Sequence, residues 1–227
     1  MINKLKSAIS YLHPVVIKQC RGQVSSYLEI SLENGRRTLN TSKVNYSYGS
    51  LHSLFDQTFK RFGLKKEDVK NVLILGFGGG SVASILKEKY NPDCSITGIE
   101  KDQAVIELTQ SYFNLERFED LEILCLDANE FVQSSKNLYD LIVVDLFVED
   151  QVPKGFHRKE FLDRLNQLLQ PHGTVFFNKI VGNSVQEGEM DELFENMKII
   201  FGEVYMYRTT LNGIENYMLI HDGRPMN

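Results

Sequence analysis

Four short stretches of this chain carry residues whose types and spacing could do chemistry. Gly76-Phe77-Gly78-Gly79-Gly80 follows an apolar run, Val72-Leu73-Ile74-Leu75. Glu100 closes a second run, Ser95-Ile96-Thr97-Gly98-Ile99; Asp127-Ala128 follows Leu121 to Leu126; Asp145 ends Leu141-Ile142-Val143-Val144. Runs apolar on both faces fit buried parallel strands. Glycine tolerates the positive φ of a sharp strand-to-helix turn, and without side chains it lets a ligand lie against the backbone. A carboxylate at the position of Glu100 can accept from both hydroxyls of a ribose. Asp127 can accept from the exocyclic amine of adenine while the backbone N–H of Ala128 meets a ring nitrogen. A carboxylate at the position of Asp145 could steady positive charge or orient a nucleophile. Any one of these acids is equally well read as a helix N-cap, worth ~1 kcal/mol over alanine. Three of them at strand ends, beside a glycine turn, favour a site.

The spacing narrows the ligand. A dinucleotide site reads G-x-G-x-x-G; glycines at 76, 78 and 80 give G-x-G-x-G. The elements that must position these residues alternate. Helices are expected over Tyr48 to Phe62, Ser81 to Tyr90, Asp102 to Phe113, Glu130 to Ser134, Phe156 to Gln170 and Glu189 to Phe201. Pro171-His172-Gly173 is expected to break the fifth helix before a strand at Thr174 to Asn178. Two closing strands, Val204 to Tyr207 and Tyr217 to Ile220, have Asn212-Gly213 between them and no helix. Strands alternating with helices predict a mainly parallel, seven-stranded, Rossmann-like α/β sheet with an antiparallel hairpin at one edge.

Residues 1–48 differ from the rest. Ser25 to Leu32 alternates with period two, and Glu33-Asn34-Gly35-Arg36 is a strong hairpin signal. Val15-Val16-Ile17 is a further strand candidate. The reading is a small N-terminal β subdomain over 1–48, packed on a catalytic domain over 49–227.

The chain has 227 residues, 42% of them hydrophobic, and a net charge of −5. No apolar run approaches the ~20 residues of a membrane span, and no signal-peptide stretch follows Met1 to Ile9. A cytoplasmic protein is expected. Net negative charge without a basic tract argues against a nucleic-acid partner. Cys20, Cys94 and Cys125 are far apart; Cys94 and Cys125, in or beside strand-like runs, read as buried free thiols. No Cys/His cluster has metal-ligand spacing, so no metal is expected.

The glycine spacing resembles the S-adenosylmethionine (SAM) site of class I methyltransferases and of the related spermidine synthases. With Glu100, Asp127-Ala128 and Tyr139-Asp140-Leu141-Ile142-Val143-Val144-Asp145-Leu146-Phe147, the combination resembles the spermidine synthase family from about residue 25 to 180. That family joins a small N-terminal β-domain to a SAM-methyltransferase-type domain. The resemblance implies that Gly76, Phe77, Gly78, Gly79 and Gly80 cradle the cofactor, that Glu100 holds its ribose, that Asp127 with Ala128 holds adenine, and that Asp145 is catalytic. It implies SAM or decarboxylated SAM as cofactor, a small-molecule acceptor and a possible homodimer.

This chain also departs from that pattern. Aminopropyltransferases normally read G-G-G-D-G-G, where the aspartate holds the free amine of decarboxylated SAM; here Gly79 takes its place. The D-x-x-D after the fourth strand becomes Asp145-Leu146-Phe147-Val148, losing the second acid; Glu149 and Asp150 follow, but a shift of one residue re-aims a side chain. The polyamine-binding Gln, Asp-Glu and Tyr-His-Glu positions hold Val44, Gly49-Ser50 and Ser53-Leu54-Phe55. A polyamine needs carboxylates to replace its lost hydration, and Leu146, Phe147 and Val148 suggest a more apolar acceptor pocket. The leading expectation is methyl transfer. The alternatives are aminopropyl transfer from decarboxylated SAM and a non-catalytic nucleoside-binding or scaffold protein. His52 and His157 are further candidates for the pocket and for catalysis, residues 147–156 for a lid, and Arg36-Arg37 for solvated hairpin charge.

Overall fold

The computed structural model describes residues 4–41, 45–47, 49–147, 155–211 and 214–224. The N-terminal part holds helix α1 (Lys4–Ile9) and four strands, β1 (Val15–Cys20), β2 (Leu28–Glu33), β3 (Arg36–Asn40) and β4 (Asn45–Ser47), in an antiparallel sheet of order β1-β2-β3-β4. Asn34 and Gly35 both take positive φ, 48° and 76°, as the tight turn between β2 and β3 requires. Leu28, Ile30, Leu32 and Leu39 are fully buried.

The remaining elements are α2 (Ser50–Phe62), β5 (Asn71–Leu75), α3 (Ser81–Ile85, running on as a π-helical turn to Tyr90), β6 (Ser95–Glu100), α4 (Gln103–Tyr112), β7 (Leu121–Cys125) and α5 (Ala128–Ser134). There follow β8 (Tyr139–Val144), α6 (Lys159–Gln167), β9 (Leu169–Val181), α7 (Ser184–Phe201), β10 (Val204–Leu211) and β11 (Ile214–Asp222). The seven strands run in the order β10-β11-β9-β8-β5-β6-β7. The five from β9 to β7 are parallel, while β11 lies antiparallel to β9 and to β10. Strand order reverses between β5 and β8, where an open parallel sheet leaves a crevice beyond its carboxyl ends.

Alternation along the strands divides the core. Val72, Ile74, Leu141, Val143 and Phe176 face α2 and the N-terminal sheet, sharing one cluster with Phe55, Phe59, Leu28, Ile30 and Leu39. Phe59 and Phe176 meet edge to face at 4.9 Å. Leu73, Leu75, Ile142, Val144, Val175 and Phe177 face α5, α6 and α7 through Phe131, Leu162, Leu165, Met190 and Leu193.

Several boundaries differ from expectation. Helix α2 starts at Ser50; Tyr48 lies outside the described residues. Asp102 and Asp127 stand before α4 and α5 as their caps. Helix α7 starts at Ser184 rather than Glu189, because the Asn183 side chain accepts from the N–H groups of Val185 and Gln186 at 3.1 and 3.0 Å. The expected helix from Phe156 to Gln170 is only Lys159–Gln167. Sheet pairing overrides the apolar period there: Tyr139 N donates to Leu168 O at 2.8 Å, and Leu169 pairs with Tyr139 in β9. Pro171 is tolerated within this strand because the ladder shifts register between Tyr139 and Leu141. Cys94 is buried, but Cys125 is exposed, because β7 is an edge strand. Arg37 is more than solvated charge, since its Nη1 donates to Tyr112 O at 2.6 Å. Asn212-Gly213, Val44 and residues 148–154 of the expected lid lie outside the described residues.

Candidate functional site

The strand ends are stitched together up to the rim of the cleft. Both Gly76 and Phe77 donate their N–H to Ile99 O at 2.9 Å, and Asp145 N donates to Leu75 O at 2.8 Å. This brings the end of β8 onto the glycine turn. A Cβ on Gly76 would lie 2.1 Å from the backbone oxygen of Asp145, and its φ of 85° disfavours any side chain. Thr109 Oγ1 holds the turn from α4, donating to Gly78 O at 2.9 Å.

Gly76, Gly78, Glu100, Asp127, Ala128 and Asp145 all line one cleft of about 970 Å³, its open mouth included. Phe77, Gly79 and Gly80 do not. Phe77 is buried against Gly98, where a Cβ would fall 2.2 Å from its ring, and Gly80 packs beneath Leu115 at the start of α3. Gly76 and Gly78 of the glycine run therefore line the cleft, while Phe77 and Gly80 pack the turn.

The acids differ in what they already hold. Glu100 Oε2 accepts from Gly78 N and Oε1 from Asp102 N, each at 3.0 Å. Burial pushes its pKa up, opposed by the N–H groups of Asp102, Gly78 and Lys101. Asp127 Oδ1 caps α5 by accepting from Asn129 N at 2.8 Å, and Oδ2 meets Lys101 Nζ at 2.9 Å. Burial works against its charge, but Lys101 and the cap hold its carboxyl below the usual range. Among the described residues Asp145 has a single side-chain partner: Asn178 Nδ2 donates to Oδ1 at 2.8 Å. Lost hydration pushes the Asp145 carboxyl up to about 7; the Asn178 N–H works against this and the charge of Glu100 adds to it. Asn178 is fully buried on β9, and its Oδ1 has no partner among the described residues. An acceptor so placed is costly unless water or a ligand meets it.

Beyond Asp145 the cleft is lined by Leu51, Leu146, Phe147, Phe156 and Ile180. Phe156 is anchored edge to face on Phe161 at 4.9 Å. His52 lies in a different groove with Arg36, Arg37 and Lys89. His157 is directed at Glu192 on α7, 3.9 Å away, and lines no part of the cleft. Sequence reasoning missed Asn178, Asp102 and the Val24-Ser25 wall. The sequence reading placed Asp102 as the first residue of a helix, and nothing local in the sequence marks its contact with residues 23–25.

The spermine/spermidine synthase domain is the family whose model matches, over residues 60–222. The chain belongs to that family. Among spermine/spermidine synthase domain relatives, it is 25% identical over 185 residues to a probable polyamine aminopropyl transferase of Bifidobacterium longum, covering 79% of this chain and 41% of that one. It is 28% identical over 142 residues to a polyamine aminopropyltransferase of Vibrio vulnificus, covering 61% and 46%. It is 26% identical over 153 residues to an eEF1A lysine and N-terminal methyltransferase homolog of Drosophila pseudoobscura, covering 63% and 22%. The chain thus spans less than half the length of each of these relatives. In fold it is similar to a probable spermidine synthase from Corynebacterium glutamicum, with TM-score 0.76 at 19% identity over 92% of this chain and 81% of that one. It is similar also to human methyltransferase-like protein 13 in complex with SAH, with TM-score 0.61 at 20% identity over 75% and 82%. Both transfer chemistries thus occur among the names of this chain's relatives.

Proposed function

We propose that the chain is a SAM-dependent transferase that moves a methyl group to a small acceptor with few or no positive charges. The observation that carries this is the distribution of acid in the cleft. Glu100, Asp102 and Asp127 are committed to backbone N–H groups, and Asp145 is the one remaining carboxylate among the described lining residues. Gly79 supplies no acid either, and the wall beyond Asp145 is apolar. Among the described residues, a polyamine would face desolvation with one uncommitted carboxylate to receive it.

The residues fit an adenosyl cofactor. Gly76 and Gly78 leave the backbone bare, Glu100 would hold the ribose, and Asp127 with Ala128 would hold the adenine between Ile99 and Leu126. When bound, the cofactor supplies a sulfonium-activated carbon, so that bond formation to the acceptor's lone pair breaks the carbon–sulfur bond. Asp145 orients the acceptor and takes its proton, and Asn178 aims the Asp145 carboxylate. The apolar wall excludes water, leaving proximity as the main source of rate.

Aminopropyl transfer from decarboxylated SAM is the second reading, favoured by the names of the Bifidobacterium and Vibrio relatives. Calorimetric titration with the two cofactors separates the readings. Methyl transfer expects SAM to bind at least as tightly as its decarboxylated form; selective binding of the decarboxylated form would overturn it.

A further inference from the structure

We infer that Asp102 is a positioning residue that clamps a turn of the N-terminal segment, residues 22–25, into place as one wall of the nucleoside cleft. This rests on the cofactor reading above. Asp102 is 2% exposed. Its carboxylate accepts four backbone N–H groups. Ala104 N, at 3.0 Å, is the ordinary helix cap. The other three come from 77 to 79 residues away in sequence: Gln23 N to Oδ1 at 3.1 Å, and Val24 N and Ser25 N to Oδ2 at 3.0 and 3.2 Å. A cap needs one or two donors, so the three distant ones serve something else.

What they hold is a tight turn, closed by Gly22 N donating to Ser25 O at 2.9 Å. Val24 and Ser25 line the same cleft as Glu100 and Gly78. The approach is so close that a Cβ on Gly22 would stand 2.0 Å from Asp102 Oδ2. The backbone N–H of Asp102 also donates to Glu100 Oε1 at 3.0 Å. One residue therefore ties the ribose acid to the N-terminal wall. In an unclamped protein, that wall must be ordered when the nucleoside binds, and affinity falls by the fraction of molecules lacking it.

Two substitutions break the clamp from opposite sides. Asp102→Asn keeps an equivalent helix cap but sets an amide NH2 against the N–H groups of the turn. Gly22→Ala leaves Asp102 and its cap untouched and pushes the turn off the carboxylate. S-adenosylhomocysteine affinity is measured by calorimetry, amide exchange at residues 23–25 and 104–106 by hydrogen exchange, and unfolding of the ligand-free proteins by thermal melt. The clamp predicts faster exchange at 23–25, unchanged exchange at 104–106, cooperative melting, and affinity weakened about tenfold or more in both variants. Faster exchange at 23–25 with wild-type affinity would overturn it, as would amides that stay protected. If Asp102→Asn does not fold, Gly22→Ala decides alone. Wild-type protein that binds no nucleoside would overturn the cofactor reading itself and the clamp's purpose with it.

Discussion

Asp145 gives the sharpest test of the proposed chemistry. Its carboxyl is pushed up to about 7 because the cleft strips its hydration, against which Asn178 offers the one side-chain donor among the described residues. It is therefore about half protonated at pH 7. A cation brought within ~4–6 Å lowers a carboxyl pKa by ~1–3 units. Taking a fall of about two units, binding of SAM releases about 0.8 proton per site at pH 6, about 0.5 at pH 7 and about 0.1 at pH 8. Calorimetry in buffers of different ionisation enthalpy reads this number directly. Asp145→Asn should remove this share of the release, and S-adenosylhomocysteine, a thioether without the positive charge, should give much less of it. Glu100 also has a raised carboxyl, so the wild-type minus variant difference isolates Asp145. Equal release from both proteins, or binding to wild type at pH 6 with no release, would refute the assignment of Asp145 to the reacting end.

Three further outcomes follow from the same geometry. Asn178→Leu removes the N–H that holds the Asp145 carboxyl down, so the pH of maximal proton release should move upward; an unmoved maximum would count against the pairing. Gly76→Ala should lower stability by ~2 kcal/mol or more in urea unfolding, since it forces a side chain into positive φ and onto the Asp145 backbone; a loss under ~0.5 kcal/mol would show that the strand ends can separate freely. For a carboxyl raised in the folded protein, the favourable contribution is present below its ordinary value near 4 and is lost as pH rises through about 7. The urea midpoint of Asp145→Asn should therefore gain on wild type as pH rises from 4 to 8, and a gap that narrows over that range would contradict the sign.

Much of the fold was legible because the strands carry it locally. Val72 to Leu75 and Leu141 to Val144 are apolar on both faces, and such runs fit a parallel sheet covered on both sides. Glu100, Asp127 and Asp145 could be read as strand-end acids for the same reason. What escaped was non-local. The apolar period from Phe161 to Leu169 suits a helix, yet Leu169 is claimed by Tyr139 in the sheet. Asp102 reads simply as the start of a helix, while three of the N–H groups its carboxylate accepts come from residues 23–25. Asn178 sits in a run that reads simply as a strand, and its bond to Asp145 depends on β8 and β9 lying side by side. Phe77 and Gly80 belong to the glycine run by sequence but serve packing, a division that only the turn's geometry decides.

The most direct test of the whole account is a crystal structure of this chain with S-adenosylhomocysteine bound. The account predicts the adenosyl group in the cleft between the Gly76–Gly78 turn and Leu126 to Ala128. Its ribose hydroxyls should lie on Glu100, with the sulfur toward Asp145. A ligand seated elsewhere, or a ribose that leaves Glu100 untouched, would contradict it.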